Sequence, residues 1–416
     1  MNILLAYSKT CFDPADPQVR MRAGASSAGT LAATLYEELS KLGEVDYVDG
    51  QRPPLSMPKG HYDLAVGILG SLSPLMRRCK IDRKVLFAVN MHPAERNRIL
   101  RAFNRRWQVC SARHLSTSCA HLRTVDDIEA ADDIILVGNE TVAASYLHWG
   151  VEPERLHCLD YASILPLAQK GDLQAGAPPR ILYLATEMCL RKGYDILHAL
   201  LQQAHRAGSA FHVDIVGMAR DRGYRARLAG LQAELGDKVA VHGWMDSSGA
   251  EYRSLLAAND WIVFPSMEEG QAGSVLDALS QGVVPLVTCE TGIHYSPLGY
   301  LEPSLESARN AELLQRLLSC PADEVLRLRR SALEYYRRVH LPWRGKLAEL
   351  LRAAAARNPD AERKPAPVHE PAPSMVERFI TAPAALLLSG IMPSRQHRKQ
   401  LYNHWRMVQL RLRGNL

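Results

Sequence analysis

The sequence predicts an α/β protein made of two consecutive units, each a parallel sheet covered by helices on both faces. Three observations predict it. Short apolar runs alternate with helical patterns, and the series occurs twice. The periodicity stops once, near the middle of the chain. At 416 residues the chain also exceeds what one hydrophobic core usually serves.

In the first unit, residues 2–7 read as a strand, followed by a loop carrying Gly24 and Gly29. Leu31, Leu35, Leu39 and Leu42 recur at helical spacing and mark the first helix. Further strands are expected at 45–48, 64–68, 85–89 and 134–137, with helices between them, notably at 94–106 and 141–149. Residues 165–179 contain two glycines and three prolines without periodicity, which makes them the linker. The second series places strands at 181–185, 211–216, 239–241, 261–264 and 284–287. Helices fit at 194–205, 224–235, 251–258 and 274–281, and long helical patterns from 311 to 355 close the unit. The expected domains are therefore 1–164 and 180–358, facing one another across a cleft at the carboxyl ends of the two sheets.

Residues 359–374 hold five prolines and read as an extended tether, and residues 375–416 form a basic tail. That tail carries seven basic side chains and one acid, which equals the whole net charge of +6. The rest of the chain is neutral, so a nucleic-acid-binding body is not expected. Leu401, Trp405, Val408 and Leu412 recur at helical spacing among these cations, so residues 394–413 fit either an anionic membrane surface or a helix packed back on the first domain. No run approaches the roughly 20 apolar residues of a spanning helix. MNILLAYSKT lacks the basic flank of a signal peptide and reads as a strand. Eight scattered cysteines without a CxxC pair read as reduced, mostly buried thiols, which points to a cytoplasmic protein, peripheral on a membrane at most.

The segment richest in chemistry is SMEEGQAGSVLDALSQGVVPLVT, residues 266–288. It runs from a strand end through a small-residue loop into a helix and on to the next strand. Gly270 and Gly273 allow a ligand close to the backbone. The helix beginning near Ser274 offers unpaired amides and a positive dipole end to phosphate oxygens. Glu269 and Asp277 bracket that seat and can accept hydrogen bonds from hydroxyl groups. Ser274 to Asp277 also fits a capping box, a structural reading compatible with the functional one.

This segment resembles the donor-domain signature of the retaining, family-4-type nucleotide-sugar glycosyltransferases of the GT-B fold, a Glu, seven residues and a second Glu in a context like EGFGLPVLEAMACGTPVV. Here EGQAGSVLDALSQGVVPLV places Glu269 and Asp277 on the paired acids. The resemblance implies that Glu269 contacts the donor sugar and Asp277 the ribose. A second match is LATEMCLRKGYDIL, residues 184–197, where the family has a Lys-Gly pair opening a helix and the lysine neutralises donor phosphates. Lys192 and Gly193 fit, and Arg191 is a neighbouring cation. The arginine the family often carries five positions earlier is Glu187 here, and a carboxylate repels a diphosphate. Gly29 falls where the family's acceptor domain approaches the phosphates. His92, in VNMHPAER, falls where many members place a histidine near the sugar, or simply caps a helix.

The resemblance implies a retaining glycosyltransferase assisted by the leaving phosphate, needing no side-chain nucleophile, no metal and no cofactor beyond its nucleotide-sugar donor. The acceptor would be a growing polysaccharide or a glycolipid. A degenerate transferase-like nucleotide-binding or scaffold protein without turnover is the alternative. A dinucleotide dehydrogenase is disfavoured, because neither first strand–helix turn contains GxGxxG.

Overall fold

A computed structural model describes residues 1–357 apart from 23, 25, 53, 55, 56 and 169–176. The expected tether and basic tail, and the middle of the linker, lie outside the described residues. The first sheet contains β1 (Asn2–Tyr7), β2 (Glu44–Asp49), β3 (His61–Ile68), β4 (Lys80–Ala88), β5 (Asp133–Val137) and β6 (Leu156–Leu159) in the order β2-β1-β3-β4-β5-β6. The second contains β7 (Arg180–Glu187), β8 (His212–Met218), β9 (Val239–Gly243), β10 (Trp261–Phe264) and β11 (Val284–Val287) in the order β11-β10-β7-β8-β9. Every pairing is parallel.

The strands bury both faces. Ile3 and Leu5 enter one core and Leu4 and Ala6 the other, as the two-residue period of a strand requires. Strand order reverses direction at β10 and β7 in the second sheet, so a crevice opens beyond their carboxyl ends, where ligands of such sheets bind. The loops leaving β7 and β10 hold the motifs singled out above.

The structure adds elements that patterning did not reveal. β6 is a four-residue edge strand, and the helices Leu72–Met76, Ala112–Ser118 and Val125–Ala130 are too short to show periodicity. The helix Trp343–Ala356, the last among the described residues, leaves the second sheet and packs against the helix Ser27–Ser40, β4 and β6 of the first. Arg357, just beyond it, donates to Asp133 at 2.9 Å. The cysteines are all unpaired, but the expectation that most are buried is corrected: only Cys119 and Cys189 are, and Cys158 is exposed.

The turn between β7 and the helix Tyr194–Arg206 depends on Gly193. Its φ is +69°, and a Cβ there would meet the Pro265 carbonyl oxygen at 1.8 Å. Gly193→Ala should therefore lower stability by about 2 kcal/mol or more, through left-handed strain and overpacking together. Urea unfolding measures it, and an unchanged midpoint would mean that this turn is not packed as described.

Candidate active site

The loops after β7 and β10 meet the first domain across a cleft of about 420 Å³. Ser26, Ser27 and Tyr161 line one side; Thr186, Lys192, Trp244, Tyr252, Ser274 and Asp277 line the other. The helices Ser27–Ser40 and Gly273–Ser280 both begin at this cleft, so two sets of unpaired amides and two positive dipole ends converge on it. Gly273 keeps the backbone close, since a Cβ there would lie 2.8 Å from the Tyr161 hydroxyl. Gly29 sits in the first turn of the helix Ser27–Ser40 and donates its amide to Ser26 Oγ at 3.0 Å.

Asp277 lines the cleft and is 5% exposed. It takes part in no capping box, since Ala272 is the N-cap and makes no side-chain bond. Its two oxygens instead accept from Ser163 Oγ at 2.5 Å and Tyr252 OH at 2.8 Å. Burial pushes its carboxyl up to about 6, against the pull of those two donors.

Glu269 is placed differently. It is buried behind Lys192, whose ammonium donates to it at 2.5 Å, and Ser266 Oγ donates at 2.9 Å. Burial alone would raise its carboxyl, but Lys192 and Arg191 outweigh that and hold it below the usual range. Burial lowers the Lys192 ammonium, and the charge of Arg191 adds to the effect. Arg191 Nη1 lies 3.4 Å from both Glu269 oxygens and 3.5 Å from Glu268 Oε2. The two cations of the expected phosphate seat thus already have carboxylate partners, and only Lys192 of the pair reaches the cleft wall.

The groove between the sheets is closed beside this cleft. Glu268 Oε1 accepts the Met91 amide at 3.2 Å, and Gly270 rests on the ends of β4 and β5. A Cβ on Gly270 would come within 2.3 Å of the Val89 oxygen and 2.5 Å of the Val137 oxygen. Gln271 accepts the Tyr161 amide at 2.9 Å and donates to Asp160 at 2.7 Å.

His92 is 2% exposed and does not line the cleft. It caps the helix Pro93–Trp107, accepts the Ala94 amide and stacks on Trp149 at 5.5 Å. Burial lowers its imidazole to about 3, so it is neutral at physiological pH. Glu187 ends β7 outside the cleft lining, which takes the neighbouring Thr186 instead.

Sequence reasoning did not find Glu268, Trp244, Ser163 or Tyr252. Trp244 was open to discovery, since it follows β9 directly at a strand end facing the crevice and is 59% exposed. Ser163 and Tyr252 carry no local signal, because tertiary packing alone brings them to Asp277. Among the described residues one group has potential metal-ligand spacing, His61, Asp63 and Asp82, with ligand atoms within 4.8 Å. It lies at the amino ends of β3 and β4, opposite the carboxyl ends that face the cleft.

Residues 178–319 match the family described as "Glycosyl transferases group 1". No curated protein matches the chain by sequence. Solved structures share the fold. Sucrose-phosphate synthase from Thermosynechococcus elongatus matches with TM-score 0.54 and 18% identity, over 85% of this chain and 100% of that one. HepE of Anabaena, in complex with UDP-glucose, matches with TM-score 0.54 and 15% identity, over 85% and 100%. A TarM variant of S. aureus, holding UDP among its ligands, matches with TM-score 0.50 and 13% identity over 70% of this chain. This chain spans 55% of that TarM chain. The architecture is the GT-B fold, two parallel α/β units facing across a cleft.

The pH dependence of Asp277 follows from its burial. Its value in the folded state, about 6, lies above the 3.8 of an unperturbed aspartate, so the folded protein holds the proton longer. The stability this site contributes is complete below pH 3.8 and is lost as pH rises through about 6. Asp277→Asn removes the dependence. Relative to wild type, the variant should gain on the order of 2–3 kcal/mol between pH 4 and pH 7 in urea titrations; a gap that does not move with pH would refute the assignment.

Proposed function

We propose that the protein is a retaining, metal-independent glycosyltransferase of the family-4 type, moving a sugar from a nucleoside diphosphate donor to a glycan or lipid-linked acceptor. One observation carries the proposal. The cleft brings together two helix starts, the cationic Lys192 and the buried acid Asp277, in the domain that matches glycosyl transferases group 1. Such a seat suits a diphosphate with a ribose beside it.

The geometry suggests an exchange of partners. Lys192 donates to Glu269 in the structure described. An incoming diphosphate carries more charge than one carboxylate and draws Lys192 from Glu269 to itself, while Arg191 adds its charge from beside Glu268. Glu269 is then free to accept from a sugar hydroxyl, the role its position in the motif implies. Asp277 keeps lone pairs for a ribose hydroxyl while Ser163 and Tyr252 hold it in place. Trp244 offers an exposed ring at the rim for a nucleobase. The helix amides and the two cations stabilise the departing nucleoside diphosphate, which supplies most of the rate. The leaving phosphate assists attack from its own face, so retention requires no enzyme nucleophile. His92, neutral and enclosed, serves this site by holding the start of the helix Pro93–Trp107, where its ring accepts the Ala94 amide and its own amide donates to Ser145 Oγ.

UDP sugars are the first donors to test, because the related HepE and TarM structures hold UDP-glucose and UDP. We assign the acceptor to polysaccharide or glycolipid assembly and the protein to the cytoplasm. Residues 394–413, outside the described residues, would attach it to an anionic membrane surface; among the described residues no helix is long and apolar enough to cross a membrane. A degenerate nucleotide-binding or scaffold protein without turnover is the second reading. Glu187 at an expected cation and the paired state of Arg191 and Lys192 favour it.

Titration with UDP, GDP and ADP followed by a sugar-transfer assay separates the two readings. Lys192→Ala removes a charge-assisted hydrogen bond to phosphate. It should weaken binding of the nucleoside diphosphate about 10- to 100-fold while leaving the parent nucleoside unaffected. Transfer should also survive EDTA. Activity abolished by the chelator and restored by a divalent cation would rule out metal independence, and failure of all three nucleotides to bind would remove the nucleotide reading.

A further inference from the structure

Glu268, beside the motif acid, is fully buried. Its Oε1 accepts the Met91 amide of the first domain at 3.2 Å. Its Oε2 lies 3.5 Å from Arg96 Nε of the first domain and 3.5 Å from Arg191 Nη1 of the second, and has no hydrogen bond. A buried carboxylate with an oxygen left unbonded is costly, and an apolar side chain would pack there at lower cost. Its position therefore needs a use beyond packing.

The two arginines are held unequally. Arg96 is anchored in its own domain, donating twice to the Ser118 oxygen at 3.1 and 2.5 Å. Arg191 Nη1 is shared among the Glu268 carbonyl at 3.3 Å, both Glu269 oxygens at 3.4 Å and Glu268 Oε2 at 3.5 Å. All four distances are long for hydrogen bonds, so no one of them fixes the guanidinium firmly. What keeps Arg191 beside the seat is the pair of carboxylates around it, and one of these is fastened to the first domain.

We propose that Glu268 is a positioning residue that ties Arg191, one cation of the diphosphate seat, to the first domain, so that the seat is in order only while loop 268–271 is docked on β4 and β5. The proposal rests on the nucleotide-sugar reading of the cleft. Coupling of this kind is reciprocal: if docking orders the seat, a bound nucleotide stabilises docking.

The Met91 amide reports docking directly, because Glu268 is its acceptor, and hydrogen exchange measures it. In Glu268→Ala that amide should exchange at least 10-fold faster than in wild type, while Leu86 and Phe87 inside β4 stay unchanged. UDP, GDP or ADP, whichever binds, should slow Met91 exchange in wild type. Glu268→Gln keeps the amide acceptor without the charge: Met91 should stay protected, the nucleotide should still bind, and its added protection should vanish. Unchanged Met91 exchange in the alanine variant overturns the proposal. So does a nucleotide that binds wild type without slowing Met91, or one that slows it equally in the glutamine variant. If none of the three nucleotides binds, the nucleotide reading fails and the coupling falls with it, while the alanine variant still decides whether Glu268 docks the loop.

Discussion

The arrangement depends on the loop of residues 268–273, whose two glycines let its backbone lie close between the ends of two sheets. Gly270 has no room for a side chain against the Val89 and Val137 oxygens, and Gly273 has none against Tyr161. Gly292 supports the loop from behind, where a Cβ would lie 1.7 Å from the Gly270 oxygen. Two of the loop's amides donate to carbonyls of its own domain, Glu269 to Glu290 and Ala272 to Thr291. The side chains of Glu268 and Gln271 then reach across to the first domain. With backbone and side chains committed in opposite directions, the loop fixes at once where Glu269 sits and how closely the domains approach.

Charge in the site follows from that placement. Glu268 and Glu269 are adjacent in sequence and both buried, yet they serve different partners. Glu269 answers Lys192 inside the second domain, and Glu268 faces Arg96 of the first. Arg191 stands between them. Buried acids of this kind persist only when cations stand close by, and here the same cations are those a phosphate would need. Ligand binding in such a site is a competition among anions for a fixed set of positive groups.

The fold was largely legible because its strands are short, apolar and regularly spaced. All five strands of the second sheet are visible as runs of Val, Ile and Leu. Leu156–Leu159 was not, since it is four residues long, lies at a sheet edge and buries only Leu159. The site was legible where chemistry is local. Lys192, Ser274 and Asp277 line one cleft because the first two sit at strand-to-helix turns that sequence punctuation reveals and Asp277 one turn further into the helix. It was illegible where the decisive partner comes from far along the chain. Nothing near Asp277 announces Ser163, 114 positions away, and nothing near Glu268 announces Met91, 177 positions away. His92 shows the opposite failure: its neighbourhood in sequence suits either role, and enclosure by Trp149 and Tyr146 favours capping.

The path of the helix Trp343–Ala356 carries a mechanical consequence. The chain passes from the first domain to the second after Tyr161, and returns before Trp343 to pack on the first sheet. These two passages lie side by side and are bonded to each other: His340 Nδ1 is 2.9 Å from the Tyr161 oxygen, and the Ser163 amide donates to Tyr336 OH at 2.8 Å. Two halves joined by two adjacent, cross-linked lengths of chain cannot twist as freely as they would on one tether. They can only swing like a door on a pair of pins, so any gap between them widens from the edge far from Tyr161 and His340 while the edge beside them keeps its register.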